Sequence, residues 1–168
     1  MDHFRNGAAI LSWDGHAKSL ARAEDSPALF VRGLNLNGPA VVIDKQQWHG
    51  KDADNYTCNG NSFDNQAVTL KPPTDSERAK MIRSSRWGNE IEAPLTSLPA
   101  GRRQIFLYVW QDNNSETFDV LLNEQTVLKR FHSGTAGHWK KLGPWQTDVK
   151  DGTITAFYAR WRGALFGS

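Results

Sequence analysis

The sequence predicts an all-β protein, a single-domain antiparallel β-sandwich, and three observations carry that expectation. Short runs rich in β-branched and aromatic residues recur along most of the chain. Turn-forming residues stand between several of them. The length of 168 residues fits one domain with a core of its own and leaves little room for a second.

Taken in chain order, residues 1–27 are weakly patterned and read as an N-terminal extension or an extra hairpin, with Trp13-Asp14-Gly15 as a turn. The domain proper is expected over 28–168. Strands are expected at 28–32, 39–44, 66–70, 80–84, 90–95, 103–110, 116–122, 125–131 and 153–158. The run Arg103-Gln104-Ile105-Phe106-Leu107-Tyr108-Val109-Trp110 is apolar or aromatic on both alternating sets, which places it mid-sheet with both faces covered. Asn123-Glu124 and Lys150-Asp151-Gly152 each separate two β-rich runs. Asp and Gly tolerate the positive φ of tight turns, so antiparallel pairing is expected across both. Between Pro72 and Ala79 a Thr or Ser ahead of acidic residues predicts one capped helical turn and no long helix. Residues 52–65, dense in Asp and Asn around Tyr56 and Phe63, read as a long loop. No repeat, heptad pattern or low-complexity tract is present.

Composition narrows the function classes. Hydrophobic residues at 39% and charged residues at 23% are those of a chain that folds. The net charge of +2 comes from interleaved acids and bases without a basic block, so nucleic acid is not an expected partner. No apolar run approaches the roughly 20 residues that span a bilayer, and the polar start Met1-Asp2-His3-Phe4-Arg5-Asn6 has no signal-peptide core. Membrane insertion is therefore not expected. The single cysteine, Cys58, excludes an internal disulfide and leaves the compartment open. Seven tryptophans stand out, several beside Gly, Asn or Pro where strands give way to loops.

Around Trp110 the order of features is specific. Leu107-Tyr108-Val109-Trp110, then Gln111-Asp112-Asn113-Asn114-Ser115-Glu116, then Thr117-Phe118-Asp119-Val120-Leu121-Leu122-Asn123 resembles malectin-like domains: an aromatic-ended strand, a polar loop and a Phe-Asp-Val strand. Gly38-Pro39-Ala40 ahead of Trp48, Asn55-Tyr56, and Gly137-His138-Trp139 with Leu142-Gly143-Pro144-Trp145 look like bacterial members of that group, so that the resemblance covers roughly 34–157. It implies a jelly-roll-like sandwich and a carbohydrate ligand held by loop aromatics. Carried over position by position, the binding aromatics are Tyr56, Trp87 and Trp110. Val109 departs from an aromatic of malectin, and Ala159-Arg160-Trp161-Arg162-Gly163-Ala164-Leu165-Phe166 departs from the family's closing strand.

The residue types suit that chemistry. Sugar C–H patches pack on an aromatic face while hydroxyls need fixed donors and acceptors, and Asp112, Asn113 and Asn114 supply these directly after Trp110. Each feature has a plainer alternative: the aromatics as sandwich core, the polar run as a turn held by Asx bonds. Trp48, Trp139 and Trp145 read as packing residues. A hard cation needs roughly 6–8 oxygen ligands, and the polar run lacks EF-hand spacing, so no calcium or other metal is expected. His132 and His138 flank Ser133-Gly134-Thr135-Ala136-Gly137 as loop residues and do not make a zinc site. No Gly-x-Ser-x-Gly elbow, His-Glu-x-x-His or Cys–His pairing is present, and Glu90, Glu92 and Asp119 are merely available carboxylates. The expectation is a non-catalytic module without a cofactor, cut from a larger multidomain protein of the cell exterior or envelope, that binds a neutral oligosaccharide or polysaccharide. Its rivals are a structural or protein-interaction sandwich and, further off, a small glycoside hydrolase or polysaccharide lyase.

Overall fold

The computed structural model describes residues 29–154, together with the backbone of residues 5–13 and 158–161. The elements are β1 (Arg5–Trp13), β2 (Leu29–Asn35), β3 (Val41–Ile43), β4 (Gln46–His49), β5 (Asn61–Asp64), α1 (Ser76–Arg83), β6 (Ser84–Trp87), β7 (Glu90–Ile91), β8 (Gly101–Trp110), β9 (Thr117–Leu122), β10 (Gln125–His132), β11 (Trp139–Val149) and β12 (Tyr158–Trp161). They build an all-β sandwich of two sheets. The larger sheet has the order β11-β8-β1-β2-β4-β3, with β6 joined to β1 and β5 to β6; the smaller has the order β10-β9-β12-β7. Pairing is antiparallel except between β2 and β4.

The alternation in β8 divides the interior in two. Ile105, Leu107 and Val109 face the smaller sheet and form a core with Leu34, Phe118 and Val120. Tyr108 and Trp110 point the other way, into a second core with Val41, Trp48, Met81 and Ile82 beneath α1. Strand β8 pairs with β1 on one edge and β11 on the other, so both its faces and both its edges are covered. The second core is built of rings: Trp48 lies 6.1 Å from Tyr108, Tyr108 stacks on Trp139 at 5.8 Å, and Phe63 stacks on Trp110 at 6.1 Å. Trp48 and Trp139 are thus packing residues, and Trp145 packs against the first core.

The Asn123-Glu124 turn joins β9 to β10 with φ of 47° and 64°, the two positive values of a type I′ hairpin. Other expectations change. The run expected as a strand at 80–84 is the end of α1, and only Ser84 begins β6. The cap is Asp75, not a Thr or Ser; its carboxylate accepts from the Arg78 amide at 2.9 Å, with Glu77 in the first turn and Lys80 and Arg83 in the last complementing the dipole. Residues 66–70 form no strand, because the Asn65 side chain and carbonyl accept from Ala67 and Val68 and turn the chain there. The polar run 52–65 hides β5, whose side chains are exposed except for half-buried Phe63. The eleven-residue strand β11 went unseen because Gly143-Pro144 interrupts its pattern; Gly143 has φ 103° at a break in register.

Among the described residues, nothing after Lys150-Asp151-Gly152 pairs with β11 to close a hairpin. Ile154 makes an isolated bridge to Leu95, residues 155–157 lie outside the described residues, and Tyr158–Trp161 pairs between β9 and β7. The turn at Trp13-Asp14-Gly15 and the rest of 14–27 also lie outside them, whereas β1 runs between β8 and β2 in the larger sheet.

Candidate functional site

One end of the sandwich gathers the loops that follow β6 and β8. Both strands run antiparallel to β1, on opposite edges of it, and Asn6 pairs with Arg86 on one side and Val109 on the other. Trp87 and Trp110 are therefore last residues of strands that end level with each other, with backbones about 10 Å apart across the one intervening strand. From Trp87 the chain passes through Gly88-Asn89 to β7, and from Trp110 through 111–116 to β9; both connections cross to the smaller sheet at this end.

The side chains are placed by this backbone. Trp87 is half-buried and stands opposite Asn61 of β5. In the 111–116 loop Asn113 and Asn114 are exposed and Asp112 is half-buried with its Oδ1 enclosed. Gln111, fully buried, donates from Nε2 to Asn113 Oδ1 at 2.8 Å and so orients that amide. The loop is tied down at both ends. Gln111 N donates to the His138 carbonyl at 2.9 Å, and Glu116 N to Ser133 Oγ at 2.8 Å. Four of the six expected residues, Trp87, Asp112, Asn113 and Asn114, thus share one end of the fold.

The other two are core residues. Trp110 has no exposed surface; it lies under Phe63 in the second core and donates from Nε1 to Ser85 Oγ at 3.1 Å. Tyr56, expected on a polar loop, is 6% exposed and belongs to the first core, on the opposite side of the larger sheet. The reason is local pairing: Tyr56 bridges to Leu95, and its phenol donates to the Gly50 carbonyl at 3.2 Å. Burial, reinforced by the charges of Cys58 and Asp52 and opposed by Arg86, pushes the phenol up to about 12. Tyr56 and Trp110 offer no ring face to a shared hollow.

Two polar residues at this end had drawn no attention in the sequence. Asn61 is the cross-strand neighbour of Trp87, and Arg86 donates from Nε to the Leu36 carbonyl at 3.0 Å and from a terminal nitrogen to the Gly60 carbonyl at 3.4 Å. The signal was the alternation Ser85-Arg86-Trp87, which sets Arg86 on the face opposite Trp87 once those residues are read as a strand. At the far end, a hollow of about 400 Å³ is lined by Asn123, Glu124, Asp148, Lys150, Asp151 and Thr153. Among the described residues no group of three or more His, Cys, Asp or Glu is placed to hold a metal ion. His138 Nδ1 lies 2.7 Å from Thr135 Oγ1, and His132 Nδ1 accepts from the Gly134 amide at 3.3 Å. Also among these residues, no helix is long and apolar enough to cross a membrane.

Comparisons of the chain with protein-family models, with curated proteins and with solved structures found no match.

Proposed function

We propose that this chain is a non-catalytic binding module for a neutral carbohydrate, held at the sandwich end that Trp87 shares with the 111–116 loop. The observation that carries the reading is the placement of one half-buried tryptophan and three short polar side chains at the ends of two strands flanking β1. A ring face supplies the apolar platform, while the Asn113 and Asn114 amides and the Asp112 carboxylate replace water at the hydroxyls. With one ring in the site instead of three, affinity is modest, in a range of roughly micromolar to millimolar. The malectin-like resemblance points to the same ligand class and to a parent protein of the cell exterior.

The test is a glycan-array screen followed by calorimetry on wild type, Trp87→Ala and Asn113→Ala, with folding followed by circular dichroism. Binding by wild type that drops in both folded variants supports the reading; equal binding by all three moves the site elsewhere. Glycan chain length measured before and after incubation should not change, and shortening would make the protein an enzyme.

One observation favours a second reading, a structural or protein-interaction sandwich: Tyr56 and Trp110 are engaged in two separate cores. A folded wild type that retains no saccharide at millimolar concentration would leave that reading in place of the first.

A further inference from the structure

We propose that Arg86 is the positioning residue of this end, the side chain that fixes the geometry in which Trp87 and Asn61 meet a saccharide; the inference rests on the reading above. Three chain segments converge here: the turn after β2, the segment entering β5, and β6 itself. Arg86 joins them. It lies on β6 between Ser62 of β5 and Asn6 of β1, and its guanidinium reaches the carbonyls of Leu36 and Gly60, 50 and 26 positions away in sequence. A planar fork of donors can hold two acceptors in fixed directions, which the single ammonium of a lysine cannot.

What it holds is the base of the rim. On its other side the segment 57–60 is fastened to the stretch that follows β7, by Thr57 N to Pro94 O and Asn59 N to Glu92 O, each 3.1 Å, and by Glu92 N to Asn59 Oδ1 at 2.7 Å. Arg86 closes the opposite side at Gly60, directly before Asn61. Gly60 has φ 81°, and a Cβ there would stand 2.9 Å from the Trp87 carbonyl, so the two backbones are in close approach where the guanidinium binds. Further back, Arg32 donates to the carbonyls of Thr96 and Ser97 at 2.7 and 3.0 Å and reaches that of Asn55 at 3.5 Å, two positions ahead of that segment. Loss of the Arg86 fork frees Gly60 and Leu36 from β6 without removing any ring or amide from the site.

Arg86→Lys keeps the charge and removes the fork. Two readouts are taken on the folded full chain: alkylation of Cys58, half-buried within the held segment, by iodoacetamide without ligand, and affinity for a saccharide that wild type retains on the array. Alkylation several-fold faster, with affinity weaker by about tenfold and a melting temperature within a few degrees of wild type, is the expected result. Unchanged alkylation overturns the proposal whatever happens to affinity, since a weaker Kd alone would make Arg86 a ligand contact. Unchanged affinity beside faster alkylation also overturns it. Faster alkylation in a protein whose wild type binds no saccharide keeps Arg86 as the clamp of this end and removes the carbohydrate reading instead. If Arg86→Lys does not fold, amide exchange of wild type decides: 59–61 must exchange as slowly as β6, and exchange at the rate of an open loop sinks the clamp.

Discussion

Two tryptophans at the ends of the strands that flank β1 have opposite uses, and burial separates them. Trp110 has no exposed surface, a stacked partner in Phe63 and a hydrogen bond to Ser85. Trp87, at the end of β6, is half-buried. Trp110→Ala should therefore lower stability by about 3–5 kcal/mol, the range for emptying a tryptophan-sized site in a core. Trp87→Ala should lower it by less than half as much. Urea denaturation of both variants checks this, and equal losses would place Trp87 in the core as well. Gly33 makes the converse point. Its position on β2 is covered by the Trp48 indole, which a Cβ would overlap. Gly33→Ala should be overpacked and cost about 1–3 kcal/mol in the same experiment.

At the scale of elements, α1 shows how local chemistry overrides a β-like string. Burial works against the Asp75 carboxylate, yet the Arg78 amide, the Arg78 charge and the Thr74 hydroxyl outweigh it and hold the group below the usual carboxylate range. Its stabilisation is present above the unfolded carboxylate value and is lost as pH falls through the depressed folded one. Asp75→Ala should cost about 1 kcal/mol near neutrality, and the gap to wild type should narrow in acid. Thermal melts of the two proteins from neutral to acid pH measure it; a gap that stays constant would deny the charge its part. The same element explains part of what the sequence concealed. Lys80-Met81-Ile82-Arg83-Ser84 alternates too loosely to be told from a strand, and only the cap five residues earlier marks a helix. β5 was concealed by polarity and β11 by the Gly143-Pro144 break, whereas β8 and the Asn123-Glu124 hairpin were legible because their signals, a doubly apolar run and a turn pair, are complete within a few residues.

For the molecule as a whole, the candidate site was legible in residue type and illegible in arrangement, because its arrangement depends on β1. The run Arg5-Asn6-Gly7-Ala8-Ala9-Ile10-Leu11-Ser12-Trp13 lacks alternation, which a strand inside a sheet does not need, yet it alone joins β6 to β8, pairing with one on each edge. It also seals the larger sheet, on whose two faces the buried titratable groups lie. Those groups give the fold an alkaline limit. Burial pushes the Tyr56 phenol from its ordinary 10.0 up to about 12 and the Cys58 thiol from 9.0 up to about 11, and it raises Tyr108 as well. Each holds its proton more tightly folded than unfolded, so the unfolded chain releases protons first as pH rises. The stabilisation is complete below the unfolded values and is lost as pH climbs through the folded ones. Lys141 and Arg32, both lowered chiefly by burial, have the opposite sign and offset part of the loss. The melting temperature should thus fall steeply between pH 9 and 12. Tyr56→Phe should start lower at pH 8, having lost the hydrogen bond to Gly50, worth about 1 kcal/mol, and then decline less steeply than wild type. Melting curves at pH 8, 9.5 and 11 decide the matter: parallel declines in the two proteins would mean that the phenol ionises as freely in the fold as in water.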